Sequence, residues 1–227
     1  MPPKRVTAAE RGRAEEIYRI LEECYPDVRC TLEYRSPFHL LVMTILAAQC
    51  TDARVNLVCR TLFDRFSTPR DFMNAPAGEL EREIHSCGFF NQKAKSIRQT
   101  SRMLEEEYGG MMPDTMEALL RMPGVGRKIA NVILGECHGK PAVIVDTHCQ
   151  RLAFRMGFTK REDPAGVERD LMRLWREEHW TLFSHRLVYH GRAVCTARAP
   201  KCAECRINLL CPKRGVGKTA PGKTKTP

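Results

Sequence analysis

Cys195, Cys202, Cys205 and Cys211 form C-x6-C-x2-C-x5-C near the C-terminal end of the chain. Four thiols this close in sequence bend a short segment around one point. No hydrophobic periodicity would prescribe such a fold. The N-terminal residues MPPKRVTAAERGR contain no apolar stretch, so no secretory segment is expected and the expected compartment is cytoplasmic. Thiols stay reduced there, and metal ligation is expected rather than disulfide bridging. Structural zinc usually takes two C-x2-C pairs, and only Cys202 and Cys205 make one here. Uneven four-cysteine spacing fits an iron–sulfur cube at least as well, and the spacing favours a [4Fe–4S] cluster. Arg198 and Lys201 lie in the loop between the first two thiols, where they can present positive charge to phosphate. The other seven cysteines (Cys24, Cys30, Cys50, Cys59, Cys87, Cys137 and Cys149) are scattered, and most are expected to be small buried residues.

Elsewhere the pattern is helical. Ile17, Leu21 and Cys24 share one face of an N-terminal helix. Ser36-Pro37 supplies an N-cap and a first-turn proline for the apolar stretch 38–48, and Thr51 can cap a helix striped by Val55, Val58 and Leu62. Gly88 and Gly109 read as helix C-caps, Asp163-Pro164 opens another helix, and 181–193 is amphipathic after Trp180. Ala142–Val145 is strand-like, but so short a run makes no sheet. The class is all-α. At 227 residues with 43% hydrophobic and 28% charged residues, the chain can bury a core without disulfides, which excludes a disordered or fibrous protein. The longest apolar run is interrupted by His39 and Thr44 and falls short of the roughly 18 residues of a membrane span, so no membrane association is expected.

The net charge of +10 favours a polyanionic partner, nucleic acid first. Most of that charge sits at the two ends. Lys4, Arg5, Arg11 and Arg13 outweigh Glu10 in 1–13, and the Pro-, Gly-, Lys- and Thr-rich stretch 212–227 carries bases and no acid. Both ends are expected to be disordered. The GVGKT at 215–219 follows no strand and lacks the first glycine of a phosphate-binding loop, so it is set aside.

The segment 117–138, EALLRMPGVGRKIANVILGECH, reads as a helix ended by Pro123, a tight Gly124-Val125-Gly126 turn and a second helix from Arg127 to His138. Two glycines admit positive φ and let backbone N–H groups approach a ligand at a helix start, where the dipole favours an anion. A nucleic-acid phosphate suits that cradle, and so does a plain turn between packed helices. Lys128 is either a solvated lysine or, in a cleft, a nucleophile. Asp146, after the apolar run, is placed to cap helix 147–156 and to stabilise positive charge.

Together LRMPGVGRKIANVIL, the VDTH that follows and the cysteine spacing resemble the endonuclease III family of DNA glycosylases, over about residues 14–211. The resemblance implies two helical domains with a cleft between them. One is a six-helix barrel at 31–140 containing the helix-hairpin-helix. The other is a [4Fe–4S] domain formed by 1–30 with 141–211, followed by the basic tail 212–227. It implies a bifunctional DNA glycosylase/AP lyase of base excision repair that removes oxidised pyrimidines from damaged double-stranded DNA. Lys128 would be the nucleophile, and Asp146 the carboxylate that assists it. Gly124, Val125, Gly126 and Arg127 would bind backbone phosphate. Gln49, in LAAQCTD, would fill the gap left by the flipped nucleotide, Phe89, in CGFFNQKA, would intercalate, and His148 would lie near the lesion strand. Base extrusion costs a few kcal/mol, which gives such plugs a physical purpose. A monomer without an obligate protein partner is expected, associated with the nucleoid in a bacterium. Two alternatives share the hairpin: a monofunctional adenine-type glycosylase, disfavoured by Lys128, and a non-catalytic DNA-binding module, which would need neither Lys128 nor Asp146.

Overall fold

The computed structural model describes residues 6–217 and is all-helical, with no strand among the described residues. The chain divides into two compact units, one spanning Arg29–Ile144 and the other joining the residues up to Val28 with those from Val145 onward.

The Arg29–Ile144 unit holds α2 (Pro37–Leu46), α3 (Asp52–Arg65), α4 (Pro69–Met73), α5 (Glu79–Glu83), α6 (Phe90–Tyr108), α7 (Met116–Leu120) and α8 (Arg127–His138); α1 (Ala8–Cys24) belongs to the other unit. Side chains start these helices where expected. Ser36 Oγ accepts from the His39 amide ahead of Pro37, and the Thr51 side chain accepts from the Arg54 amide. Gly109 ends α6 in the left-handed conformation, and Gly88 closes a short 3-10 turn at His85–Cys87 with φ of 69°. Helix α2 is buried nearly all round, and one continuous apolar core joins it to Leu62, Phe72, Leu80, Ile84, Ile97, Leu104 and Ile133. Ala142–Val145 is buried but forms no strand; the Asn131 side-chain amide donates to the Val143 carbonyl at 2.9 Å, supplying a partner that a neighbouring strand would otherwise provide.

The second unit contains α1, α9 (Thr147–Arg155), α10 (Pro164–Met172), α11 (Trp180–Ala193) and the loops bearing the four clustered cysteines. Ala14, Ile17, Tyr18 and Leu21 form the buried face of α1, while Cys24 at its end is only half-buried. Of the scattered cysteines, Cys59, Cys87 and Cys149 are buried, whereas Cys24, Cys30, Cys50 and Cys137 are half-buried, fewer in the interior than the sequence suggested.

The disorder expected of the charged ends is corrected over their described parts. Thr7 and Glu10 form a capping box that opens α1. The Arg13 guanidinium donates to the carbonyls of Met156 at 2.8 Å and Leu210 at 3.0 Å and lies 4.4 Å over the Phe158 ring. At the other end, the Arg214 amide donates to Arg155 O at 3.1 Å, and Pro212 packs against Gly157 so tightly that a Cβ there would meet it at 2.9 Å. Composition treats these residues as unable to bury apolar area, but the carbonyls left over at the end of α9 give them polar partners instead. Residues 1–5 and 218–227, with the rest of both tails and the end of GVGKT, lie outside the described residues.

Candidate functional site

In the Arg29–Ile144 unit the hairpin is built from both sides. Thr115 caps α7, Thr100 Oγ1 donates to Pro123 O at 2.7 Å, and the Val125 amide closes the turn onto Met122 O at 3.0 Å. Gly124 has φ of +83°, and a Cβ there would meet Ser96 Cβ at 2.8 Å, so only glycine fits. Val125 is buried and pins the loop to the core. Gly126 precedes α8 with extended backbone and supplies no side-chain cap, and open space surrounds the position of its missing Cβ. The first turn of α8 therefore offers amide donors and the positive helix end to an approaching anion. Burial of Ala130, Asn131, Ile133 and Leu134 fixes the inner face of α8 and leaves Arg127 and Lys128 exposed.

Two further loops of this unit carry side chains outward. Gln49 follows α2 with φ of 55°, and Phe89 precedes α6 with φ of 47°; both are non-glycine residues in left-handed backbone. Strain of this kind costs of order 1–3 kcal/mol per residue and is often found at functional positions. Phe89 is 68% exposed, whereas the adjacent Phe90 turns inward against the core, its ring tilted 43° to that of His85 at 4.5 Å. Thus Phe90, not Phe89, supplies the packing after Gly88.

One buried side chain joins these loops. Lys93 is buried, and its Nζ donates to Leu46 O and to Cys87 O, each at 2.8 Å. A lysine on a helix is ordinarily solvated, so only its place one turn beyond Phe89 hinted at this.

In the other unit Asp146 Oδ1 accepts from the Cys149 amide at 2.7 Å and so caps α9 as expected. His148 follows within the first turn, and its Nδ1 lies 3.2 Å from an Arg151 nitrogen. Burial holds the imidazole below its usual pKa; Asp146 opposes this, while Arg151 and Arg192 reinforce it.

Cys195, Cys202, Cys205 and Cys211 line a single pocket with Leu152, Val194 and Ile207. Among the described residues no set of three His, Cys, Asp or Glu side chains forms a site for a single metal ion. The donor set fits a thiolate-bound cluster: four thiols face one apolar pocket, and Arg155, a buried residue that the sequence did not single out, organises its edge. Arg155 donates to Cys195 Sγ at 3.3 Å, to Thr196 O and Ala197 O at 2.7 Å each, and its own carbonyl accepts from Cys211 Sγ at 3.4 Å. Burial raises the pKa of Cys205 and Cys211, and the neighbouring thiols push the same way, so binding a metal must displace these protons. Arg198 and Lys201 are exposed on the loop between the first two thiols.

Residues 42–177 match the HhH-GPD superfamily of base excision DNA repair proteins. Endonuclease III of Synechocystis is 49% identical over 92% of this chain and 95% of its own length. This chain belongs to the endonuclease III family. Its fold is similar to an endonuclease III in a non-covalent complex with DNA, with a TM-score of 0.86 and 38% identity, covering 89% of this chain and 95% of that one. A trapped covalent endonuclease III–DNA intermediate, described as an estranged-adenine complex, matches with the same TM-score and identity over 89% and 96%. Within this chain, Gln49, Phe89, Gly124, Val125, Gly126, Arg127 and Lys128 belong to the Arg29–Ile144 unit. Asp146, His148, Arg198, Lys201 and the four thiols belong to the other. Among the described residues no helix is long and apolar enough to cross a membrane.

Proposed function

We propose that this chain is a monomeric bifunctional DNA glycosylase/AP lyase of base excision repair that removes oxidised pyrimidines from duplex DNA. The observation that carries the reading is Lys128, exposed in the first turn of α8 directly after the glycine hairpin, in a chain so similar to an endonuclease III trapped covalently on DNA. The Lys128 amine attacks the sugar C1′ and the damaged base departs with the glycosidic electron pair. Loss of the amine proton and ring opening give a Schiff base between Lys128 and the sugar. That imine acidifies the C2′ proton, whose removal expels the 3′ phosphate by β-elimination. Asp146 stabilises the positive charge that develops on the sugar and assists Lys128.

The amides of Gly124–Gly126 and the Arg127 side chain hold backbone phosphate without reading bases, while Gln49 and Phe89 occupy space vacated in the duplex. His148 contacts the lesion strand, and Arg198 and Lys201 add phosphate contacts from the cysteine loop. Cys195, Cys202, Cys205 and Cys211 are the residues that would hold a [4Fe–4S] cluster. When bound it supplies iron–thiolate bonds that fix the 195–211 loops.

Borohydride trapping on duplex DNA carrying an oxidised pyrimidine tests the reading. The native protein should form a covalent adduct, and Lys128→Ala should form none while melting at the same temperature. Absence of an adduct with the native protein on any damaged or abasic duplex rules out the lyase. Elemental iron and visible absorption distinguish an iron–sulfur cluster from zinc.

A further inference from the structure

We propose that Lys93 is a positioning residue that locks the Gln49 and Phe89 loops in mutual register, so that the two side chains enter a duplex as one device. The proposal rests on the reading of Gln49 and Phe89 given above. Three bonds from one residue reach both loops. Lys93 Nζ donates to Leu46 O, the last residue of α2 and three before Gln49, and to Cys87 O, two before Phe89. The Lys93 backbone amide donates to Phe89 O itself at 3.0 Å. Both loops are strained where they carry the outward side chain, with φ of 55° at Gln49 and 47° at Phe89, so each needs neighbouring structure to hold it.

The choice of lysine also has physical content. Lys93 is 5% exposed, and its ammonium sits against the last carbonyl of α2, at the negative end of that helix dipole. Burial lowers its pKa, opposed by the nearby Cys50 and Cys87 thiols. Burying an ammonium is costly unless it is hydrogen-bonded. A leucine would serve a plain helix contact at no such cost, whereas only a multiple donor can grip two carbonyls from separate loops. No other function described above uses this group.

The test compares Lys93→Met with the native protein on two substrates: an oxidised pyrimidine in duplex DNA, and a single-stranded abasic oligonucleotide. The single strand has no opposite base or stack to replace, so Gln49 and Phe89 have no work there. Lys93→Met should slow single-turnover duplex cleavage by about tenfold, as expected from losing a buried donor, while borohydride trapping on the single strand stays within about twofold of native. In a Gln49→Ala/Phe89→Ala background, Lys93→Met should cause no further loss on duplex, because a residue acting through those side chains has nothing left to position. Equal losses on both substrates, or an undiminished loss in the double-alanine background, overturn the proposal in favour of a general folding role. If Lys93→Met does not fold, Lys93→Gln, which keeps an amide donor, should give a smaller loss confined to duplex, and a native rate on duplex would overturn the proposal. Should Gln49→Ala/Phe89→Ala itself cleave duplex at the native rate, the underlying reading falls, and that result is obtained without any Lys93 variant.

Discussion

In the Arg29–Ile144 unit the interior is a single apolar cluster in which Phe72 meets the rings of Phe38, Phe63 and Phe66 at 5.4 to 6.3 Å. The other unit, assembled from two separate stretches of chain, has an aromatic core around Trp175 and Phe183, whose rings lie 4.1 Å apart. It adds a set of arginines bonded to main-chain carbonyls: Arg13 to Met156 and Leu210, Arg151 to Gly191 and Cys195, Arg155 to Thr196 and Ala197. Each unit accordingly carries function in its own way. A close-packed apolar core tolerates strained loops at its rim, because many small contacts hold their anchors. Loops with few apolar residues, such as 195–217, must be fixed by directional bonds, and the arginine–carbonyl bonds supply them.

The largest effect should come from Cys211→Ser. With one ligand gone, iron content and visible absorption should fall together, and limited proteolysis should cut within 194–217 while 29–144 stays protected. Equal protection across both units in that variant would break the contrast. Phe72→Ala attacks the opposite principle. Phe72 has no exposed surface, and truncation should cost about 3–5 kcal/mol in denaturant melts; a cost below about 1 kcal/mol would show that apolar packing is not what holds that unit. A finer division lies within the hairpin. Gly124→Ala forces a Cβ against Ser96 at positive φ and should cost about 1–3 kcal/mol of stability. Gly126→Ala meets open space and should leave stability within about 0.5 kcal/mol, yet weaken DNA binding in a titration by placing a methyl where backbone must approach phosphate. If both glycines behave alike in the two assays, the assignment of separate roles fails.

Much of this was legible in one dimension. Helix starts followed from local chemistry: Ser36-Pro37, Thr51, Asp146 and Asp163 each cap the helix they precede. The hairpin showed because a proline and two glycines leave the backbone few options. What escaped was any property that depends on what lies opposite. Arg13 and Arg214 read as tail charge, yet both are bonded to carbonyls brought near from distant positions. Phe89 and Phe90 are identical as residues, and only the left-handed turn at Phe89 sends one outward and the other inward.

The helical class, the hairpin, the family and the spacing of the four cysteines were all written in the amino-acid order, because caps, glycine turns and thiol spacing are short-range. Tertiary structure alone decided that Lys93 is buried between two loops, that Arg155 organises the thiol pocket and that 212–217 is ordered. Each of those depends on carbonyls left over at helix ends or in loops, and which donor reaches them is settled only when the chain has folded.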